Sequence, residues 1–266
     1  MTYRTFSQVV SDAIDDLETH GFDSIDRLEK WQREIEYAAE REVKAKHFID
    51  AKLKEHLSRI YASRIERGGI LKSHDIPRWT LEQIKPKLRN ELDRRIMASA
   101  QLIKLNREEM INKTIRRFSG WATSLPMGGS AAVSNREIAE DIKKGIKSLP
   151  FEQRRVMIDQ AHKLKASIDN IVATDGGAIA AEWTIRETSG YENRPDHVKR
   201  KGEVYLMPES WALKQGLIKP AGHKYTTDID QPGEKISCSC VFKYLYNLRS
   251  MPHECLTEKG REALAK

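Results

Sequence analysis

Apolar residues in the first two thirds of the chain recur at helical steps, and the positions between them are dense with charge. Between residues 24 and 67 there is no proline and no glycine, and Leu28, Trp31, Ile35, Ala39, Val43, then Ile49, Leu53, Leu57 and Ile60 follow one another mostly three or four residues apart. Such steps place the apolar side chains on one stripe of a helix. Ser24, beside Asp23, is the candidate N-cap and Gly68-Gly69 the stop. The stripe loses its step between Val43 and Ile49, which predicts a break or kink near Lys46-His47. A second helix begins near Thr80 and carries Leu81, Ile84, Leu88, Leu92, Ile96, Ile103, Ile111, Ile115 and Phe118. Pro86 falls within it, and proline is best tolerated in a first turn, so a start nearer Lys85 competes with one at Thr80. Two long helices with a short connection can pack as an antiparallel hairpin.

Residues 119–135, with Gly120, Pro126, Gly128-Gly129 and Ser130-Ala131-Ala132, are small, polar to neutral and without a period, which reads as a linker or a surface loop. A short helix is expected from Asn135, capped by it or by Ser134, to about Gly145. Another follows Pro150 and runs through Val156, Ile158, His162, Leu164, Ile168 and Val172 to the turn Asp175-Gly176-Gly177. The texture then changes: residues 178–187 alternate loosely and read as a strand, as do 203–206. Short helices are expected over 241–250 and 252–265. The fold class predicted is α+β, a long-helix N-terminal region followed by a small mixed domain, with divisions at 1–118, 119–149, 150–250 and 251–266.

Charge sharpens this outline. The net charge is +7, yet residues 1–30 hold seven acids and three bases while residues 85–117 hold ten bases and four acids. The second long helix therefore carries Arg89, Arg94, Arg95, Lys104, Arg107, Lys113, Arg116 and Arg117, a stripe suited to sequence-independent contact with the phosphates of double-stranded DNA. The competing use is a solvated helix face, or salt bridges to the acids Glu34, Glu36, Glu40 and Glu42 of the first helix. No run approaches the roughly 20 apolar residues a membrane helix needs, so no membrane partner is expected. Three cysteines, two of them one residue apart, point away from a disulfide framework and towards a reducing compartment such as the cytoplasm.

The C-terminal third carries the candidate chemistry. Pro195 biases Arg194 towards extended backbone, so that Arg194 and His197 can converge across a tight turn, Arg194 on a carbonyl or carboxylate and His197 on a neighbouring loop, as a buried polar clamp. Cys238 and Cys240 fall on the same side of an extended segment. With His197 or His223 they could hold zinc; buried free thiols are the alternative, since Cys-x-Cys is not the usual metal spacing. Catalysis finds little support: no phosphate-binding glycine loop, no metalloprotease helix and no nucleophile signature is present, and no cofactor is expected.

The order of elements in residues 150–245 resembles the phage head-morphogenesis domain, the Mu F-like module of minor head proteins. The resemblance rests on Gly176-Gly177, a strand with Trp183, Arg194 with His197, Gly202 leading to Tyr205, an insert, Gly233-Glu234, and Ser237-Cys238-Ser239-Cys240, where Asn and Arg would be more usual at the two serines. It implies a virion component that acts in head assembly, not an enzyme. Such a protein is made in the host cytoplasm and lies inside the phage head. Its partners are the portal or other capsid or scaffold proteins and packaged DNA, with which it can be ejected. Trp183, Arg194, His197, Gly202, Cys238 and Cys240 then serve structure. A helical connector that never touches DNA, and a zinc-stabilised nucleic-acid-binding module or cryptic hydrolase, are the other readings.

Overall fold

The computed structural model describes residues 4–20, 25–44, 46–74, 76–122, 136–186, 192–236 and 238–265. The expected caps at Ser24 and at Ser134 or Asn135, most of the 119–135 linker, and Ser237 lie outside them. The helices are α1 (Phe6–His20), α2 (Ile25–Lys44), α3 (Lys46–Tyr61, prolonged by a π turn Ala62–Glu66), α4 (Gly69–His74), α5 (Arg78–Ala122) and α6 (Arg136–Asp175). Three strands follow, β1 (Ala180–Thr184), β2 (Val204–Leu206) and β3 (Val241–Leu245). Among them lie the short helices α7 (Pro195–Lys199) and α8 (Trp211–Lys214), and α9 (Glu258–Ala265) closes the chain. The fold is α+β. Among the described residues, no helix is long and apolar enough to cross a membrane.

Two compact units are present, Met1–Lys54 with Met97–Val156, and Glu55–Ile96 with Met157–Lys266. They interleave in sequence, where the apolar pattern suggests divisions at 118 and 150, because the long helices contribute residues to both.

In the first unit α1 supplies Phe6, Val9, Val10, Ala13, Ile14 and Leu17, a complete helical stripe not among the helices expected from the apolar pattern. It packs with Trp31, Ile35, Ala38 and Ala39 of α2 and with Ile111, Phe118 and Trp121 of α5. Asp16 joins the first two helices, accepting from Trp31 Nε1 at 2.7 Å and Arg27 Nη1 at 3.0 Å. Burial alone raises the Asp16 pKa, but the Trp31 hydrogen bond and the Arg27 charge outweigh it and hold the carboxyl below its ordinary value.

In the second unit the sheet order is β2-β1-β3, both pairings antiparallel. The register sets two distinct faces. Ala180, Leu206 and Leu245 point to one side, into a core with Ile218, Met251 and Leu256. Trp183, Tyr205, Phe242 and Tyr244 share the other, with Trp183 against Phe242 at 5.6 Å and Phe242 against Tyr244 at 5.8 Å between ring centroids. Strand β3 corrects the helix expected over 241–250. Val-Phe-Lys-Tyr-Leu is β-branched and aromatic, and its five-residue pairing with β1 takes up backbone groups that a lone helical turn would leave half satisfied.

Two prolines also behave differently from expectation. α5 starts at Arg78, well before Pro86, and α6 is one helix through Pro150 where two were expected. In α5 the buried face, Leu81, Ile84, Leu88 and Leu92, extends on both sides of Pro86 while the ring faces solvent. Burial there offsets the roughly 3 kcal/mol that an interior proline costs. The kink expected near Lys46-His47 falls beside Ala45, which lies outside the described residues, between α2, ending at Lys44, and α3, starting at Lys46.

Candidate functional site

The sheet's aromatic face ends at a cluster of sulfur and imidazole. Arg194 is extended (φ −59°, ψ 138°) and Pro195 opens α7, so that His197 turns inward on its single turn. The segment 231–240 returns along the same side. It turns at Gly233, whose φ of +82° is open to glycine and where a side chain would meet Ala166 Cβ of α6 at 3.2 Å. Turns at Gln231–Glu234 and Lys235–Cys238 follow one another, and residues 238–240 lead into β3 with both Cys238 and Cys240 sulfurs on His197.

His197 Nδ1 lies 3.5 Å from Cys238 Sγ and 3.5 Å from Cys240 Sγ, and the three side chains are 2%, 3% and 4% exposed. Trp183, fully buried, forms the floor with its ring 5.1 Å from the imidazole and edge-on to it. The Arg200 guanidinium lies over the indole, 5.1 Å from its centroid. Gly202, at φ +82°, donates its N–H to Trp183 O at 2.9 Å and so closes the β1–β2 ladder over the cluster.

The two thiols titrate as a pair. Cys238 loses its proton below the ordinary thiol range because Cys240 hydrogen-bonds its sulfur, helped against burial by the backbone N–H groups of Gly233 and Cys240. Cys240 is correspondingly pushed up, first by that same hydrogen bond to Cys238 and then by burial.

Beside the thiols lies a cavity of about 290 Å³, lined among others by Cys238, Cys240, Arg64, Lys165, Arg186 and Asp169. Burial lowers the Lys165 pKa, and Arg64 and Arg186 lower it further against the opposing charge of Asp169. Asp169 is also a structural hub. It pairs with Arg64 and accepts from His74 Nε2 at 3.0 Å, and the other ring nitrogen of His74 meets Tyr246 OH at 2.6 Å. Nothing in the sequence spacing announces this cavity, because its walls come from the π turn, α6, the end of β1 and the segment before β3.

Compared with known families, curated proteins and solved structures, the chain gives no match. Within the site, Trp183, His197, Cys238 and Cys240 meet in one cluster, and Gly202 shapes its edge. Arg194 stands apart: it is exposed, not the buried clamp expected of it, and among the described residues donates to Ile236 O at 3.4 Å, since the extended residue before Pro195 points outward. His223 does not belong to the cluster. Arg200 and the cavity cations were not singled out by sequence, where each is one base among many.

The basic residues of α5 divide. Arg107 is buried against Glu42 and Arg95 is half-buried against Glu91 and Ser167, and both guanidiniums are engaged by those partners. Arg94 also pairs with Glu91, Arg89 with Asp93 and Lys104 with Glu108, at the surface or close to it. Lys113, Arg116 and Arg117 are exposed together on the C-terminal part of the helix, in the first unit, around a shallow recess shared with Glu109.

Proposed function

We propose that this chain is a bacteriophage minor head protein that acts by binding, recruited near the portal and contacting packaged DNA through the C-terminal part of α5. The observation that carries the reading is the convergence of Trp183, His197, Cys238 and Cys240: four of the residues on which the head-morphogenesis resemblance rests come from three separate stretches and form one buried centre. Buried there, they serve a small α+β module better than a surface reaction would. Lys113, Arg116 and Arg117, exposed on one helix, supply charge for sequence-blind phosphate contact.

The test is binding of the purified protein to non-specific duplex DNA across a salt series, with Lys113→Glu/Arg116→Glu/Arg117→Glu beside it. The reading expects affinity to fall steeply with salt, and the variant's slope to be shallower by about 1 for each phosphate it no longer neutralises. Absence of binding at low salt removes DNA as the partner.

A second reading, a connector that binds another head protein, draws on Met97, Leu102 and Leu105 of α5. They are exposed by 75%, 38% and 51%, apolar area of the kind a protein partner covers. Retained binding to portal protein with no DNA binding favours it.

A further inference from the structure

We propose that His197, Cys238 and Cys240 bind one zinc ion, with the fourth coordination position taken by water from the adjoining cavity. The distances between the ligand atoms fit such an ion. A tetrahedral zinc with Zn–S of about 2.3 Å and Zn–N of about 2.0–2.1 Å sets sulfur and nitrogen about 3.6 Å apart. His197 Nδ1 stands 3.5 Å from both sulfurs, and all three ligand atoms lie within 4.8 Å of one another. A hydrogen bond explains one such approach but not two, because Nδ1 has a single in-plane lone pair or a single proton. An ion bound by all three satisfies both contacts with that one lone pair.

The surroundings match a metal centre. His197 Nε2 is buried and has no hydrogen-bond partner among the described residues, and the Asp196 carboxylate lies beside it, Oδ2 at 3.8 Å. When Nδ1 ligates, Nε2 carries the proton, and a carboxylate beside it is the usual orienting group for a metal-bound histidine. Two thiolates and an imidazole select zinc over calcium or magnesium, which take oxygen ligands. No fourth protein ligand belongs to the cluster among the described residues, while Cys238 and Cys240 also line the cavity. Binding displaces the thiol protons and ties His197 of α7 to Cys238 and Cys240 at the edge of a sheet that has three strands among the described residues. The inference stands independently of the head-protein reading.

The experiment is metal analysis of the full-length chain produced with zinc and dialysed against metal-free buffer. It expects about one zinc per chain, retained in Cys255→Ser and reduced at least about tenfold in Cys238→Ser and His197→Ala. Cys255 is the control because it is a buried thiol in the other core of the same unit. Should those variants fold poorly, cobalt on the wild-type chain gives the second readout: thiolate-to-cobalt charge-transfer absorption with the strong visible bands of a tetrahedral ion. Less than about a tenth of a zinc per reconstituted wild-type chain, equal zinc in Cys238→Ser and Cys255→Ser, or an octahedral cobalt spectrum without thiolate absorption overturns the proposal.

Discussion

Asp169 on α6 accepts a 3.0 Å hydrogen bond from His74 Nε2 on α4, and so links two helices that lie far apart in sequence. His74 is 4% exposed and its Nδ1 faces the Tyr246 hydroxyl, so the proton on Nε2 leaves Nδ1 to accept from the phenol. Arg64 completes the set on the same carboxylate. The Tyr246 pKa is raised by burial and then by the negative charge of Asp169, which keeps the phenol protonated and available as that donor.

Removing the hub is expected to cost more than weakening it. Asp169→Ala leaves the half-buried Arg64 and the buried His74 facing each other without an acceptor, a loss of about 1–3 kcal/mol. Asp169→Asn keeps an acceptor oxygen and loses less. Urea denaturation of both decides it: equal midpoints for Ala and Asn variants contradict a role for the acceptor.

Trp183 sits at the centre of the aromatic face, in contact with His197, Phe242 and the Arg200 guanidinium. Trp183→Ala opens a void under the sheet and is expected to lose about 3–5 kcal/mol, enough to consume much of a domain's stability. Trp183→Phe refills most of it. Thermal melts should rank wild type, Phe, then Ala, and an Ala variant within a degree of wild type excludes this packing role.

Glu91 makes stability depend on acid. It is buried, which raises its pKa, but hydrogen bonding from Arg94 and the charge of Arg95 reverse this and leave it below its ordinary value of 4.5. A group with a lowered folded pKa stabilises fully above the unfolded value and loses that contribution as pH falls through the folded one. Stability should therefore decline below about pH 4.5, and Glu91→Gln should flatten that decline while costing about 1–3 kcal/mol at neutral pH. Denaturation midpoints measured from pH 3 to 7 (about that span) test it; parallel pH curves for the two proteins refute it.

Gly260 fixes how α9 docks. A Cβ there would lie 2.2 Å from Leu217 O, and the backbone cannot yield because Leu217 O also accepts from Thr257 N at 3.1 Å. Thr257 caps the helix through Oγ1 to Gly260 N at 3.0 Å. Gly260→Ala, otherwise favourable in a helix, is expected to destabilise by about 3 kcal/mol. Faster backbone amide exchange confined to α9 and its neighbours is the expected signature, and unchanged protection counts against it.

Local pattern carried much of this molecule. The apolar stripes of the long helices, the strands around Trp183 and Tyr205, the turn at Gly202 and the pairing of Cys238 with Cys240 on one side of the chain all follow from periodicity within a few residues, where backbone geometry dictates direction. The stripe of α1 was equally legible in Phe6, Val9, Val10, Ala13, Ile14 and Leu17. Other features were beyond local reading. Whether 241–245 becomes strand or helix depends on β1 being free to pair; whether Pro86 breaks α5 depends on burial on both sides of it. Which bases of α5 remain exposed depends on acids brought against them, some distant in sequence, as Glu42 is to Arg107. The convergence of His197 on two thiols more than forty residues away, and the cavity assembled beside them, exist only once the chain has closed. Spacing along a sequence encodes neighbours on one helix or strand, whereas a site made from several elements is set by how their cores pack.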